Sequence, residues 1–333
     1  MPPLQLGQES PPPGEAADIT AMIALMKASL AKRYAPGETL RQFHPKMHGC
    51  VRAELTVDAD LPEHLRQGLF REHKTYQAWV RFSNAPPKVQ SDAKASGRGM
   101  AIKVLEVGEA SLVDDPIGVP TQDFLLTTSP VLSPGNARNY RQALYGLVHG
   151  FPHNLPYVFN PGNWRRLALT LRFMKKHADL LTLSYFSGSP FRLGGEGTAV
   201  KFSARPLYAP LVERPRRPAP DFLRQRLVDH LATQDATFTF LVQPQTDPVR
   251  EPIEDTSRIW HAPFYRVGTL RIPSQEFDTE ARRTFGENLS FSPWHSLPTH
   301  RPLGGINRVR RAVYEELAAF RMQQKGVEPS SLQ

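Results

Sequence analysis

Seven short stretches of this chain alternate apolar and polar residues with a period of two, and no regular strand–helix–strand order links them. Val51, Ala53, Leu55 and Val57 alternate with Arg52, Glu54 and Thr56. The same habit recurs in AWVRFS at 78–83, GMAIKVLEV at 99–107, DFLLTT at 123–128, TAVKFSARP at 198–206, ATFTFLVQ at 236–243 and FYRVGTLRI at 264–272. Period-two patterning puts one face of each strand in a core and the other outside it. Helical spacing is confined to 17–34, 61–71, 136–148, 163–182, 220–232 and 306–323. Strands grouped in this way predict an α+β fold built on an antiparallel barrel or sheet of seven or eight strands.

The 333 residues are within reach of one large domain, and 40% hydrophobic content supplies its core. We expect that domain to span 17–325. Residues 1–16, rich in Pro and Gly, read as a disordered tail, and 326–333 as a flexible one. The Pro-rich stretch 206–219 reads as a surface connection. Cys50 is the only cysteine, which excludes an intrachain disulfide framework and a thiolate-rich metal site. In its strand it reads as a small buried hydrophobe. No apolar run is long enough to span a bilayer, and the N-terminus has no secretory pattern. A cytoplasmic protein is expected. The net charge is +9, but the arginines are scattered and no zinc-finger or RNA-binding aromatic pattern accompanies them, so nucleic acid is not the expected partner. Internal arginines meeting a buried dianion account for part of the excess.

The last helical segment, GGINRVRRAVYEELAAFRMQQK, carries the chemistry of most interest. Arg310, Tyr314, Leu317 and Arg321 fall at i, i+4, i+7 and i+11, one stripe of a helix. An arginine one turn from a phenol favours phenolate. Phenolate is a hard ligand suited to ferric iron, and tyrosine is the axial haem ligand in catalase. An arginine two turns on suits a carboxylate at the rim of a planar cofactor.

With those residues in view, the sequence resembles the catalase family, in its short branch made of the haem domain alone. RxxxY of the family's last helix is matched by Arg310 and Tyr314, and a propionate-binding arginine by Arg321. RQFHPKMHG is similar to the distal segment, which implies Arg41 for a propionate and His44 for distal catalysis. WVRFS is similar to the strand that serves a propionate and the distal histidine, which implies Arg81 and Ser83. GRGMAIKV, TQDFLLTTSPV, YFSGSPFRLGGEGTAVKFSARP and FSPWHSLPTHRPLGGINRVRRAVY continue the resemblance in order, over about residues 40–323.

The resemblance implies an antiparallel barrel of about eight strands, surrounding helices, a C-terminal haem-ligand helix, haem b, and Tyr314 on the iron. It implies a hydroperoxidase acting on hydrogen peroxide or organic hydroperoxides. Fatty-acid hydroperoxide rearrangement, as in allene oxide synthases, and non-catalytic haem binding are the alternatives. Two departures bear on activity. Where the resemblance places a distal asparagine, after the strand DFLLTT, stand Thr127 and Thr128, and Thr128 takes the catalytic position. Phe43 stands before the distal histidine where catalases have Val. His48, in the HGC of the short branch, competes with His44 for the distal role. No counterpart of the family's long arm or C-terminal domain is evident, so a smaller oligomer such as a homodimer is expected. Arg98 reads as a surface residue, and Trp294 and His295 as packing near the proximal side.

Overall fold

The computed structural model describes residues 4–35 and 38–325. Eight antiparallel strands close a barrel in sequence order: β1 (Met47–Val57), β2 (Thr75–Asn84), β3 (Arg98–Leu105), β4 (Thr121–Thr127), β5 (Tyr185–Phe186), β6 (Val200–Pro206), β7 (Ala236–Pro244) and β8 (Tyr265–Ile272). β8 returns to β1, with Leu55 opposite Leu270. All seven alternating stretches are strands, and closure leaves no long edge unpaired. The eighth strand, β5, has only two residues, too few to carry a period.

The inward rows of these strands make the core. Val51, Val80, Phe82, Ile102, Phe124, Phe202 and Phe240 are buried inside the barrel. Phe124 meets Phe202 and Phe240 edge to face, with centroids 4.8 and 4.9 Å away. Such pairs add about 0.5–1.5 kcal/mol each beyond the area they bury. The segment 61–71, expected as a helix, is instead two 3-10 turns, Glu63–Leu65 and Gly68–Phe70. Gly68, at φ +53°, breaks the run between them. The turns bury Leu65, Leu69 and Phe70 in the barrel core, so the apolar spacing was real but the helix was not.

Among the described residues seven helices surround the barrel: α1 (Glu15–Arg33), α2 (Ala137–His149), α3 (Leu155–Val158), α4 (Trp164–Phe173), α5 (Phe222–Leu231), α6 (Glu280–Asn288) and α7 (Gly305–Lys325). α1, α2 and α7 form a second small core through Met22, Met26, Leu144, Val309 and Val313. The helix expected over 163–182 ends at Phe173, and α6 was not expected. α6 lies on β1, where a Cβ at Gly286 would stand 2.6 Å from that of Cys50. Cys50 is buried, and burial pushes its thiol up to about 11.

The stretch expected as an N-terminal tail makes contacts with the body among its described residues. Residues 4–14 are bound to the body, and α1 starts at Glu15, inside the stretch 1–16. Glu9 pairs with Arg301 and Arg308 at 2.7 and 2.6 Å and accepts the Gly304 N–H at 2.8 Å. Arg308 also pairs with Glu15 and Glu254. Three carboxylates thus hold one arginine in the first turn of α7, and that anchors the helix at its base. Residues 326–333 lie outside the described residues.

Candidate functional site

A cavity of about 310 Å³ lies between the barrel wall and α7. Its lining includes Arg41, His44, Arg81, Ser83, Arg310, Tyr314 and Arg321. Residues from three separate segments of the sequence therefore share one wall system. Strand pleating explains part of this. Val80 and Phe82 point into the barrel, so Arg81 and Ser83 between them point out, towards the cavity.

His44 stands on the loop before β1, at φ +59°. That region costs a non-glycine residue about 1–3 kcal/mol. Arg81 holds it there by donating to its carbonyl at 3.1 Å, and its own N–H donates to the Ala85 carbonyl at 3.4 Å. The ring Nδ1 lies 2.9 Å from Ser83 Oγ. Gly99, opposite Ser83 in the sheet, leaves room for the ring, because a Cβ there would stand 2.5 Å from Nδ1. Burial, then the charges of Arg81, Arg310 and Arg41, lower the imidazole to about 3. It is neutral at ordinary pH.

His48 is elsewhere. It is buried, does not line the cavity, and Asn84 accepts from its Nε2 at 2.7 Å. Asn84 in turn donates to Asp92, and Arg98 donates to Asn84. Arg98 is fully buried in this network, so its reading as a surface residue is corrected. The network compensates its charge, which is what lets an arginine lie inside.

Positive charge crowds one end of the cavity. Arg41, Arg81 and Arg321 gather near one carboxylate, Glu287, which pairs with Arg81 at 3.1 Å. Arg41 donates to the backbone carbonyls of Glu287 and Leu289 at 3.1 and 2.6 Å. Burial, then Arg81 and Arg321, push the Arg41 guanidinium well below its ordinary value, and burial lowers that of Arg321. Arg310 holds its guanidinium carbon 5.6 Å from the centre of the Tyr314 ring and reaches Ser189 Oγ at 3.3 Å. Tyr314, like Phe43, Tyr140 and Leu317, packs against the small core of α1, α2 and α7.

Thr128 does not belong to this wall. Its Oγ1 accepts the Arg98 N–H at 3.1 Å, because β4 has ended at Thr127, and only Thr127 lines the cavity. The β3–β4 loop approaches instead, with Val113, Asp114 and Pro116. Among the described residues, the sole carboxamide on the cavity wall is Gln42. Gln42 is 4% exposed, and neither its Oε1 nor its Nε2 has a partner among the described residues. Sequence reading passed over it because a glutamine in a loop carries no pattern.

A second missed feature lies in the same wall. Lys103 and Asp123 are direct cross-strand partners in β3 and β4, both fully buried. Lys103 donates to Asp115 and to both oxygens of Asp123 at 2.8 and 2.9 Å. His295, which lines the cavity, lies 2.8 Å from Asp115 and 3.1 Å from Asp123. Burial alone would lower His295, but the two carboxylates outweigh it and raise it to about 9. The Lys103 ammonium stands where a metal ion would, so the cluster is an ion network of two cations and two anions. Trp294 is packing, as expected near α7, with Nε1 donating to the Asn307 carbonyl at 2.8 Å.

The closed eight-stranded barrel with its surrounding helices has counterparts among solved structures. The chain matches a fungal catalase with a TM-score of 0.65 and 16% identity, over 91% of this chain and 63% of that one. It matches catalase A from Saccharomyces cerevisiae with a TM-score of 0.67 and 14% identity, over 92% and 65%. A bacterial catalase gives 0.65 and 15%, over 91% and 61%. The chain therefore has the catalase fold, and it spans a little under two thirds of the length of these proteins. No family model and no curated protein sequence matches it.

Proposed function

We propose that the cavity holds haem b, with Tyr314 on the iron and His44 as the distal base, and that the protein reduces hydroperoxides. The observation that carries this reading is charge. Arg41, Arg81 and Arg321 share one carboxylate in a buried site, and Arg81 Nε has no partner among the described residues. Unpaired buried cations are costly, and a dianion at the cavity rim offsets that cost. The two propionates of haem are such a pair. Met100, Leu126, Phe43, Val313 and Leu317 offer apolar surface to a macrocycle. The residues present therefore fit the group.

When bound, haem supplies the iron at which the O–O bond of a hydroperoxide breaks heterolytically. The chain's own residues handle position and protons. In the tautomer in which Nδ1 of His44 donates to Ser83 Oγ, 2.9 Å away, Nε2 is the basic nitrogen. His44 takes the proton from one peroxide oxygen and returns it to the other. Arg310 sets a positive charge beside Tyr314. Gln42 brings the one wall carboxamide to the loop that carries His44, where it can donate to a peroxide oxygen or to a propionate.

The altered distal wall favours organic hydroperoxides over a second molecule of hydrogen peroxide. We expect haem-loaded protein, given a one-electron donor such as a phenol to supply the two electrons, to turn over cumene hydroperoxide, with activity constant from pH 8 to well below 6.5. It falls as His44 protonates, when pH approaches the folded value of about 3. Bound propionates neutralise part of the arginine field and move the limb upward from there. Because the folded value lies below the unfolded one, neutral His44 also contributes stability that is present above pH 6.5 and lost as pH falls towards 3. Fast turnover of hydrogen peroxide with no activity on alkyl hydroperoxides would contradict the substrate assignment.

Gln42 gives a check that needs no activity. A buried polar group without partners costs about 1–3 kcal/mol. Gln42→Leu should therefore raise the urea midpoint of haem-free protein, by about 1 kcal/mol or more in stability. In haem-loaded protein the gain should shrink or reverse. A lower midpoint in the haem-free variant would show that the amide is already satisfied.

A further inference from the structure

Between Phe124 and Ala178 the chain has 55 residues without a single aspartate or glutamate, and seven lysines and arginines. This stretch holds α2, α3 and α4, on the outside of the barrel. Arg138 and Arg141 pair with Asp18, and Arg165 lies 3.6 Å from Asp255. Arg172, Lys175 and Lys176 pair with no carboxylate among the described residues. Three unneutralised cations therefore stand together at the end of α4.

The same stretch exposes large apolar side chains. Phe151 is 79% exposed, Phe159 72%, Leu171 73% and Trp164 58%. No residue of α4 is buried except in part. Trp164, Ala168 and Leu171 share one exposed face at i, i+4 and i+7, while Thr170 turns inward to Ser133 Oγ at 2.8 Å. The Pro-rich connection exposes Tyr208 and Leu211 as well. Arg226 ties the two together, donating to the Ala178 carbonyl at 3.0 Å and to that of Glu213 at 2.7 Å.

We propose that this face docks on an anionic lipid surface. An amphipathic helix with aromatic and aliphatic residues on one side and arginines beside them lies in the plane of a membrane interface. Trp and Phe enter the headgroup region, and Lys and Arg meet the anionic lipids. The charge decides against a second copy of this chain, since two faces with a net excess of cations repel. It also decides the sign of the partner. Nucleic acid is anionic too, but exposed Leu171, Phe151 and Phe159 gain nothing from a phosphate backbone. No described helix is long and apolar enough to cross a membrane, so the contact is with the surface. The inference stands independently of haem.

The test is vesicle sedimentation of the full chain, with phosphatidylcholine alone and with phosphatidylcholine containing 30% phosphatidylglycerol, at low and at high salt. Wild type should bind the anionic vesicles at low salt, with a blue shift of tryptophan emission that Trp164→Phe removes. Each charge near the surface contributes on the order of a five-fold change in partition, so Arg172→Gln, Lys175→Gln and Lys176→Gln combined should weaken binding by about a hundred-fold. Phe151→Ser with Leu171→Ser should weaken it independently of salt. Circular dichroism of each variant, unchanged from wild type, separates lost binding from lost folding. Absence of binding to anionic vesicles overturns the proposal, as does equal binding to neutral ones. So does a dimer in solution that Phe151→Ser with Leu171→Ser splits, or displacement from vesicles by duplex DNA at equal charge.

Discussion

Replacing Lys103 by methionine should cost the protein about 3–5 kcal/mol, the penalty for removing one member of a buried ion pair. Asp123 is fully buried and Asp115 nearly so, and both point at this ammonium. Methionine fills the volume but leaves two carboxylates facing one cation, His295. The deficit should be measurable as a lower urea midpoint in haem-free protein, so that ligand binding does not enter. It should also depend on pH. His295 is raised to about 9, so the stability it contributes is complete below pH 6.5 and is lost as pH rises through 9. The variant should therefore weaken further above pH 9, where its last cation is lost. Equal midpoints for variant and wild type at pH 7 would show that the network is not what holds β3 and β4 to this wall.

Removing the distal base is the second large effect. His44→Ala in haem-loaded protein should lower hydroperoxide turnover by about 10²–10⁴-fold, the usual range for a positioned acid–base group. Haem content should stay the same, because the proposed iron ligand is on α7. His48→Ala should leave the acid limb of the pH profile in place, since His48 belongs to the Asn84 and Asp92 network and not to the cavity. If His48→Ala abolished turnover while His44→Ala did not, the assignment of the two histidines would be reversed.

The barrel was legible because seven of its strands alternate without interruption. A core that is apolar on one face writes itself into the sequence as a period of two. β5 was not legible at two residues, and α6, centred on ARRTFG, buries only Gly286 and so shows no apolar stripe. Residues 61–71 mislead for a related reason. Leu61, Leu65 and Leu69 are spaced as in a helix, yet Gly68 adopts positive φ and splits the segment.

The site was legible in its ionic members. Arg41, His44, Arg81, Ser83, Arg310, Tyr314 and Arg321, named from sequence, all meet at one cavity. Thr128 was misplaced by the end of one strand, since a residue beyond the last pair no longer follows the pleat. Lys103 carries no pattern of its own in GMAIKVLEV, and its buried partner, Asp123, lies twenty residues on. Opposite charges at the cores of two successive strands were the available signal.

The central claim is that Tyr314 ligates haem iron in this cavity, and an absorption spectrum tests it most directly. Purified protein titrated with haem should show a Soret band that saturates at one haem per chain. Tyr314→Phe should shift that band and weaken haem retention, with the fold intact by circular dichroism. A Soret band identical in wild type and Tyr314→Phe would contradict the ligand assignment, and no saturable band in either would contradict haem binding altogether.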